Sequence, residues 1–300
     1  MRKFTYLVPK TLDEAISLYQ SYGERAKYIA GGTDVLVKIK EGKLAPDYLI
    51  SLKHIISQDR PFLNHETGEL YVGAFVTHRM IETSPLVQAH YPILYDAVKN
   101  IGSVQIRNVA TIGGNLVNAV PSADGAIPLI TLDGKANIYG AKGQRSVDLL
   151  RFFLGPGQCD LERGEILTEV VVPRLLPRTG SAYIKHGRRE AMELPMLGVG
   201  VLLSLEADME TCAKAGISLG VAAPTPIRAL QAEKHLVGKT INEETLAEAG
   251  KIAGEESKVR DSIRGVAWYR REMVAVLVTR MGMKALERAS RNAEVGMGNK

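Results

Sequence analysis

The sequence predicts an α+β protein of 300 residues built in two parts. Three observations carry that expectation. Up to about residue 175, short apolar strand patterns alternate with short helical ones. Residues 173–180 (Pro-Arg-Leu-Leu-Pro-Arg-Thr-Gly) then punctuate the chain with two prolines and a glycine. Beyond them, three strand-like runs are followed by three helical patterns, which suits a small three-stranded antiparallel sheet with helices packed on it.

In order, residues 4–8 read as a strand stopped by Pro9. Thr11-Leu12-Asp13-Glu14 fits a capping box, with Thr11 as N-cap and Glu14 reaching back. Ala15, Ile16, Leu18 and Tyr19 supply the apolar face of that helix. Residues 27–30 read as a strand, 35–39 as a short helix and 48–52 as a strand. A second module starts near Phe62. It has a strand at 69–76, a short helix bracketed by Thr77 and Pro85, and a helix at 95–101. Strands follow at 136–140 and 166–172. After the 173–180 boundary come strands at 181–185, 199–205 and 217–221, the last stopped by Ala222-Ala223-Pro224-Thr225-Pro226. Helices are expected at 228–236, 243–255 and 267–289, with a loose tail after Arg291.

Composition excludes several classes. The chain is 45% hydrophobic and 24% charged, enough for a real core. Its net charge of +5 comes from scattered Lys and Arg, so nothing points to nucleic acid. A basic chain still suits an anionic ligand or an acidic partner. Two cysteines, Cys159 and Cys212, are too few and too distant for a metal or redox pair. The six histidines are isolated and no metal motif occurs. The start of the chain lacks the apolar core of a signal peptide. The longest apolar stretch, 197–205, is far shorter than a membrane span. A soluble, cytoplasmic protein is expected. Val237-Gly238-Lys239-Thr240 ends like a phosphate-binding loop, but Glu233 stands where the first glycine belongs. Gly198-Val199-Gly200 lacks a third glycine and sits in a strand pattern.

Two double-glycine turns remain. Lys27-Tyr28-Ile29-Ala30-Gly31-Gly32-Thr33-Asp34 is a strand running into a turn that opens a helix. Glycines there permit positive φ and let a ligand touch the backbone. Freed N–H groups at a helix start form an anion cradle. Thr33 adds a hydroxyl, and Asp34 suits a cap on backbone amides. The second turn, Ala110-Thr111-Ile112-Gly113-Gly114-Asn115, repeats the offer of glycine amides, a hydroxyl and a side-chain amide. Asp124 follows in Pro121-Ser122-Ala123-Asp124 and could accept from a ribityl or ribose hydroxyl. The residues alone fit two readings. Either the turns flank the pyrophosphate of a large anionic ligand, or both are structural and Asp124 caps the helix near 126–132.

The ordered set resembles the FAD-binding subunits of the molybdenum hydroxylases. Beside the two turns, the resemblance rests on Gln105-Ile106-Arg107-Asn108, on Gly164-Glu165-Ile166-Leu167, on Lys185 ahead of Arg188-Arg189, and on residues 220–228 (Gly-Val-Ala-Ala-Pro-Thr-Pro-Ile-Arg). It spans about 4–289. It implies an FAD-binding domain of the vanillyl-alcohol-oxidase type over 1–175, with subdomains of about 1–55 and 56–175. A small C-terminal domain would cover 180–290. It implies FAD contacts from Lys27, Tyr28, Ile29, Ala30, Gly31, Gly32, Thr33 and Asp34. Ala110, Thr111, Gly113, Gly114, Asn115 and Asp124 would add to them. Ile166 and Leu167 would lie near the flavin or adenine, and Lys185 near the ring. Lys185 read alone fits a solvated strand-edge lysine equally.

The resemblance also implies a molybdopterin-binding large subunit and a small subunit with two [2Fe–2S] clusters as partners, and NAD as acceptor. Electrons would run from the clusters through FAD. No metal site and no acid or base is expected on this chain, because the cofactor carries the redox chemistry. Arg188-Arg189-Glu190-Ala191-Met192-Glu193 and the 222–228 stretch lean toward the xanthine dehydrogenase branch. Carbon monoxide dehydrogenase or another aromatic or purine hydroxylase is the alternative. A stand-alone flavin oxidase would need its own base and often a His or Cys attached to the flavin, and neither turn holds a histidine. A scaffold subunit fits poorly with two intact turns.

Overall fold

The structure is a computed structural model and describes residues 3–55, 60–189 and 191–297. Glu190 of the arginine-rich stretch therefore lies outside the described residues. The first module comprises β1 (Thr5–Leu7), α1 (Leu12–Tyr22), β2 (Ala26–Ile29), α2 (Val35–Lys40) and β3 (Tyr48–Ser51). Its sheet has the order β1-β3-β2, and both pairings are parallel. Helical crossovers are what parallel neighbours require. Ala15 and Ile16 of α1 bury themselves with Ala26 and Ile50 of the sheet. The capping box is displaced by one residue. Thr11 Oγ1 accepts from the Glu14 amide (3.1 Å), but the Glu14 carboxylate accepts from the Lys10 amide (2.7 Å), not from Thr11.

The second module runs β4 (Phe62–Leu63), β5 (Leu70–Gly73), α3 (His78–Glu82), α4 (Pro85–His90), α5 (Pro92–Val98), α6 (Val104–Arg107), α7 (Ile112–Val117), α8 (Ala126–Thr131), β6 (Lys135–Gly140), β7 (Gly143–Asp148), β8 (Phe153–Gly155), β9 (Gln158–Cys159) and β10 (Ile166–Val172). Its five-stranded sheet has the order β4-β5-β10-β6-β7 and is antiparallel throughout. Leu70, Val72, Ile138 and Val170 of the sheet share a core with α5, α7 and α8. The helix expected at 95–101 starts earlier, because Pro92 takes the first helical turn, where its missing N–H costs nothing. Strand β7 gave no apolar signal because, as a polar edge strand, it buries no residue fully.

The last module holds β11 (Thr179–His186), β12 (Leu197–Leu205), β13 (Cys212–Gly220), β14 (Ile227–Arg228), α9 (Leu230–Leu236), α10 (Glu243–Glu256) and α11 (Ala267–Met297). The antiparallel sheet has the order β11-β12-β13-β14. It has four strands, not three. Arg228 belongs to the added strand and not to a helix, because its guanidinium is pulled onto Asp133 (2.6 Å) and Glu233. The chain also stays helical past Arg291, to Met297.

Every residue of β12 is buried. It meets α11 and, elsewhere, α8, while α10 packs on α11 behind. A Cβ on Gly200 would sit 2.5 Å from Thr131 Oγ1. Gly198-Val199-Gly200 is thus a packing seat for α8. Arg288 of α11 closes the contact by donating to Asp96 Oδ2 and to the Ser181 carbonyl, both at 2.7 Å.

Candidate functional site

The first turn leaves β2 and enters α2. Gly32 has φ +78°, a conformation that penalises side chains. A Cβ on Gly31 would lie 2.1 Å from the Val109 carbonyl oxygen. The two double-glycine regions therefore touch, since Val109 and Ala110 lead straight into Thr111. Among the described residues, no acceptor takes the amides of Gly31, Gly32 and Thr33. Half-buried amides ahead of a helix start are open to water or to a ligand acceptor. Asp34 holds the N-cap position of α2 but makes no capping bond. Its Oδ1 instead accepts from Asn118 Nδ2 (2.7 Å), and Asn118 Oδ1 accepts from Lys38 Nζ (2.8 Å). Asp34 thus ties the first turn to the C-terminal end of α7 rather than capping its own helix.

The second turn differs from its expected form. Thr111 is the N-cap of α7, and its Oγ1 accepts from the Gly114 amide (3.1 Å). The Gly113 amide donates to the Ala74 carbonyl (2.8 Å). Neither glycine amide is free. A Cβ on Gly113 would lie 2.6 Å from the Ala74 carbonyl oxygen, so this glycine serves close packing. What this turn offers outward is exposed Gly114 backbone and the half-buried Asn115 side chain. Asn115 Oδ1 accepts from the Gly125 amide (3.1 Å), which draws the Asp124 loop onto the turn.

Asp124 is buried and does not cap α8. Its Oδ1 accepts from Tyr183 Oη (2.6 Å) and its Oδ2 from Lys185 Nζ (2.8 Å). Lys185 also donates to the Asn100 carbonyl (3.0 Å). It is a paired, largely buried lysine and not a solvated one. Burial pushes the Asp124 carboxyl up, and the Lys185 ammonium and Tyr183 hydroxyl pull against that shift. Burial also drives the Tyr183 hydroxyl well above its ordinary value, with Asp124 adding to the effect.

The remaining expected residues divide. Ile29 is buried, Ala30 is half-buried beside Gly31, and Lys27 is exposed on β2. Tyr28 turns away from the glycines, with Oη donating to the Gly164 carbonyl (3.1 Å). Ile166 and Leu167 are buried in separate core clusters.

Sequence reasoning missed Asn118 and Tyr183. Both carried a signal. Asn115 and Asn118 stand three apart on one helix, and Tyr183 and Lys185 stand two apart on one strand, so each pair shares a face.

Two buried groups stabilise the second turn from behind. Arg107 grips Glu82 through Nε (2.9 Å) and Nη2 (3.2 Å). His78 is enclosed, and its amide donates to the Ala110 carbonyl (3.0 Å). Burial, then the Arg107 charge, lowers the His78 pKa to about 4. The unfolded chain thus takes up the proton first. Stability is full above about pH 6.5 and falls as the pH drops toward 4, by ~3 kcal/mol. Urea midpoints at pH 7 and pH 5 check this, and His78→Gln should flatten that part of the profile.

The arrangement is a backbone run with free amides beside a side-chain cluster, with no metal-binding group of residues among those described. No helix among the described residues is long and apolar enough to cross a membrane.

Comparison with known proteins agrees with this geometry. Residues 2–175 match the FAD binding domain in molybdopterin dehydrogenase, and residues 182–285 match the CO dehydrogenase flavoprotein C-terminal domain. The nicotinate dehydrogenase FAD-subunit of Eubacterium barkeri is 33% identical over 82% of this chain and 83% of its own. The putative xanthine dehydrogenase FAD-binding subunit of Escherichia coli is 32% identical over 93% of this chain and 94% of its own. A chain in the structure of carbon monoxide dehydrogenase from Hydrogenophaga pseudoflava superposes with a TM-score of 0.88 at 31% identity. It covers 95% of this chain and 98% of its own. Unpaired amides at Gly31–Thr33, the abutting second turn and the matched domains lead to one conclusion: the chain belongs to the FAD-binding medium subunits of the molybdenum hydroxylases.

Proposed function

We propose that this chain is the electron-transfer subunit of a three-component complex. Its partners are a molybdopterin-binding large subunit and a small subunit with two [2Fe–2S] clusters. The complex is of the xanthine dehydrogenase type, with NAD as acceptor, and works in the cytoplasm. The single observation that carries the reading is the run of unpaired amides from Gly31 to Thr33, set where a Cβ would strike Val109. Such a run suits a pyrophosphate. When bound, FAD takes up electrons and passes them on in pairs.

The protein's part is to bind and orient. The Gly31–Thr33 amides would hold the phosphates, and Thr111, Gly114 and Asn115 would hold the cofactor from the adjoining turn. The paired Asp124 and Lys185 would border the cofactor from the β11 side, where Asp124 could accept from a hydroxyl and Lys185 would supply a positive charge. The buried Ile29, Ile166 and Leu167 keep the surrounding sheets rigid. The site residues lie in a 1–175 unit, with Lys185 supplied by the 180–290 unit.

The test is an absorbance spectrum with iron and molybdenum assays on the chain purified with its associated proteins. Flavin bands, with iron and molybdenum in the associated chains, are the expected result. Flavin without metals or partners would favour a stand-alone oxidase instead.

A further inference from the structure

Two loops meet at one end of the β11–β12 hairpin. One holds the described residues 187–189 and 191–196 between the strands, and the other, residues 257–266, leads into α11. They touch where Gly265 packs on Met196, since a Cβ on Gly265 would lie 2.9 Å from the methionine sulfur. Tyr269 Oη and His186 Nε2 meet beside them at 3.4 Å.

The second loop is tightly tied. Ser262 and Gly265 exchange amide-to-carbonyl bonds of 3.0 and 3.1 Å, and Asp261 Oδ1 accepts from the Ala267 amide (2.6 Å). At its tip stands Ile263, 91% exposed. On the adjoining first turn of α11 stands Trp268, the chain's single tryptophan, 68% exposed. Met192 and Leu194 project from the first loop, each more than half exposed. Single exposed apolar residues mean little, but a cluster on tied backbone marks a contact surface. Tryptophan is among the commonest anchors of such surfaces.

Charge selects the occupant. Arg260 and Arg264 lie on the same loop as Ile263, and Arg270 and Arg271 on the same stretch of α11 as Trp268, so basic residues there outnumber the acidic Asp261 and Glu272. Among them Arg270 is buried, and the Asp261 carboxylate only partly offsets the Arg264 and Arg260 charges that bear on it. Its guanidinium donates to Ser262 Oγ and to the Val221 carbonyl. Two copies of this face would set like charges against each other, which disfavours self-association. An acidic surface would relieve that excess. The face is also linked to the candidate cofactor site. The Val221 amide donates to the Pro121 carbonyl (3.2 Å), at the head of the Asp124 loop.

We propose that residues 257–266, with the first turn of α11, form the docking surface for an acidic protein subunit, anchored by Trp268 and Ile263. The inference rests on the complex described under Proposed function.

The test uses the complex purified through this chain. Its other subunits, released in high salt, are titrated back onto four forms of the chain and followed by sedimentation. The forms are wild type, Ile263→Asp, Trp268→Ser and Leu154→Asp, the last altering an exposed residue on distant β8. Ile263→Asp and Trp268→Ser should each weaken association about 30-fold or more, the scale of a hot-spot truncation. Leu154→Asp should bind as wild type, wild-type affinity should fall with added salt, and FAD content should stay equal across all four. Wild-type binding by both loop variants would overturn the surface and leave the complex standing. Self-association through this face would overturn it as well. A chain that purifies with no other subunit would overturn the complex itself and the surface with it.

Discussion

Replacing Gly31 with alanine is expected to lower folding stability by about 3 kcal/mol or more, because overpacking a filled site forces backbone to move. The added Cβ would meet the Val109 carbonyl oxygen at 2.1 Å and Ala110 Cα at 2.9 Å, and neither is the end of a flexible side chain. The first module would be pushed off the second, and flavin would be lost with the fold. Gly32 should behave differently. Its φ of +78° strains any replacement, by roughly 1–2 kcal/mol, but a Cβ there meets only the side-chain ends of Ile29 and Leu36, at 3.1 and 3.2 Å. Gly32→Val should therefore fold at a modest cost and fail to retain FAD. Urea midpoints and flavin absorbance per chain, read on both variants, separate the two roles. A folded Gly32→Val protein with stoichiometric FAD would remove the first turn from the cofactor site.

Asp124→Asn is expected to destabilise the protein by about 3–5 kcal/mol, because it leaves the Lys185 ammonium buried without its counter-charge. Lys185→Met should cost a similar amount for the mirror reason. The double variant should recover most of the loss, since removing both charged partners leaves no uncompensated buried charge. A double-mutant cycle in urea reads this directly. The same double variant also tests function, because Asp124 and Lys185 bridge the Asn115 turn to β11. If the pair serves the cofactor as well as the fold, the double variant will be stable and flavin-poor. If it only joins the modules, flavin content will follow stability.

The two cases show why one double glycine could be understood locally and the other could not. The strand-to-helix turn at Gly31–Gly32 follows from its own residues: an apolar strand, a position needing positive φ, and a helix start. The second pair has the same letters and a different use. Its amides are taken by Thr111 and by Ala74, and only one of those partners is nearby in sequence. The Asp124–Lys185 pair joins residues from different modules, which no local pattern encodes.

By itself the sequence determined the elements whose signals are short-range. Apolar runs set most strands of the three larger sheets, and Thr11 and Thr77 set helix starts. It also determined the family, because two ordered turns with their flanking residues suffice for that. Tertiary structure alone decided which amides remain free for an anion, which carboxylate is already paired, and that β14 and polar β7 join their sheets. Hydrogen-bond satisfaction and close approach depend on partners far away in the chain. A sequence states which donors exist, and only the fold states which of them have been left without an acceptor.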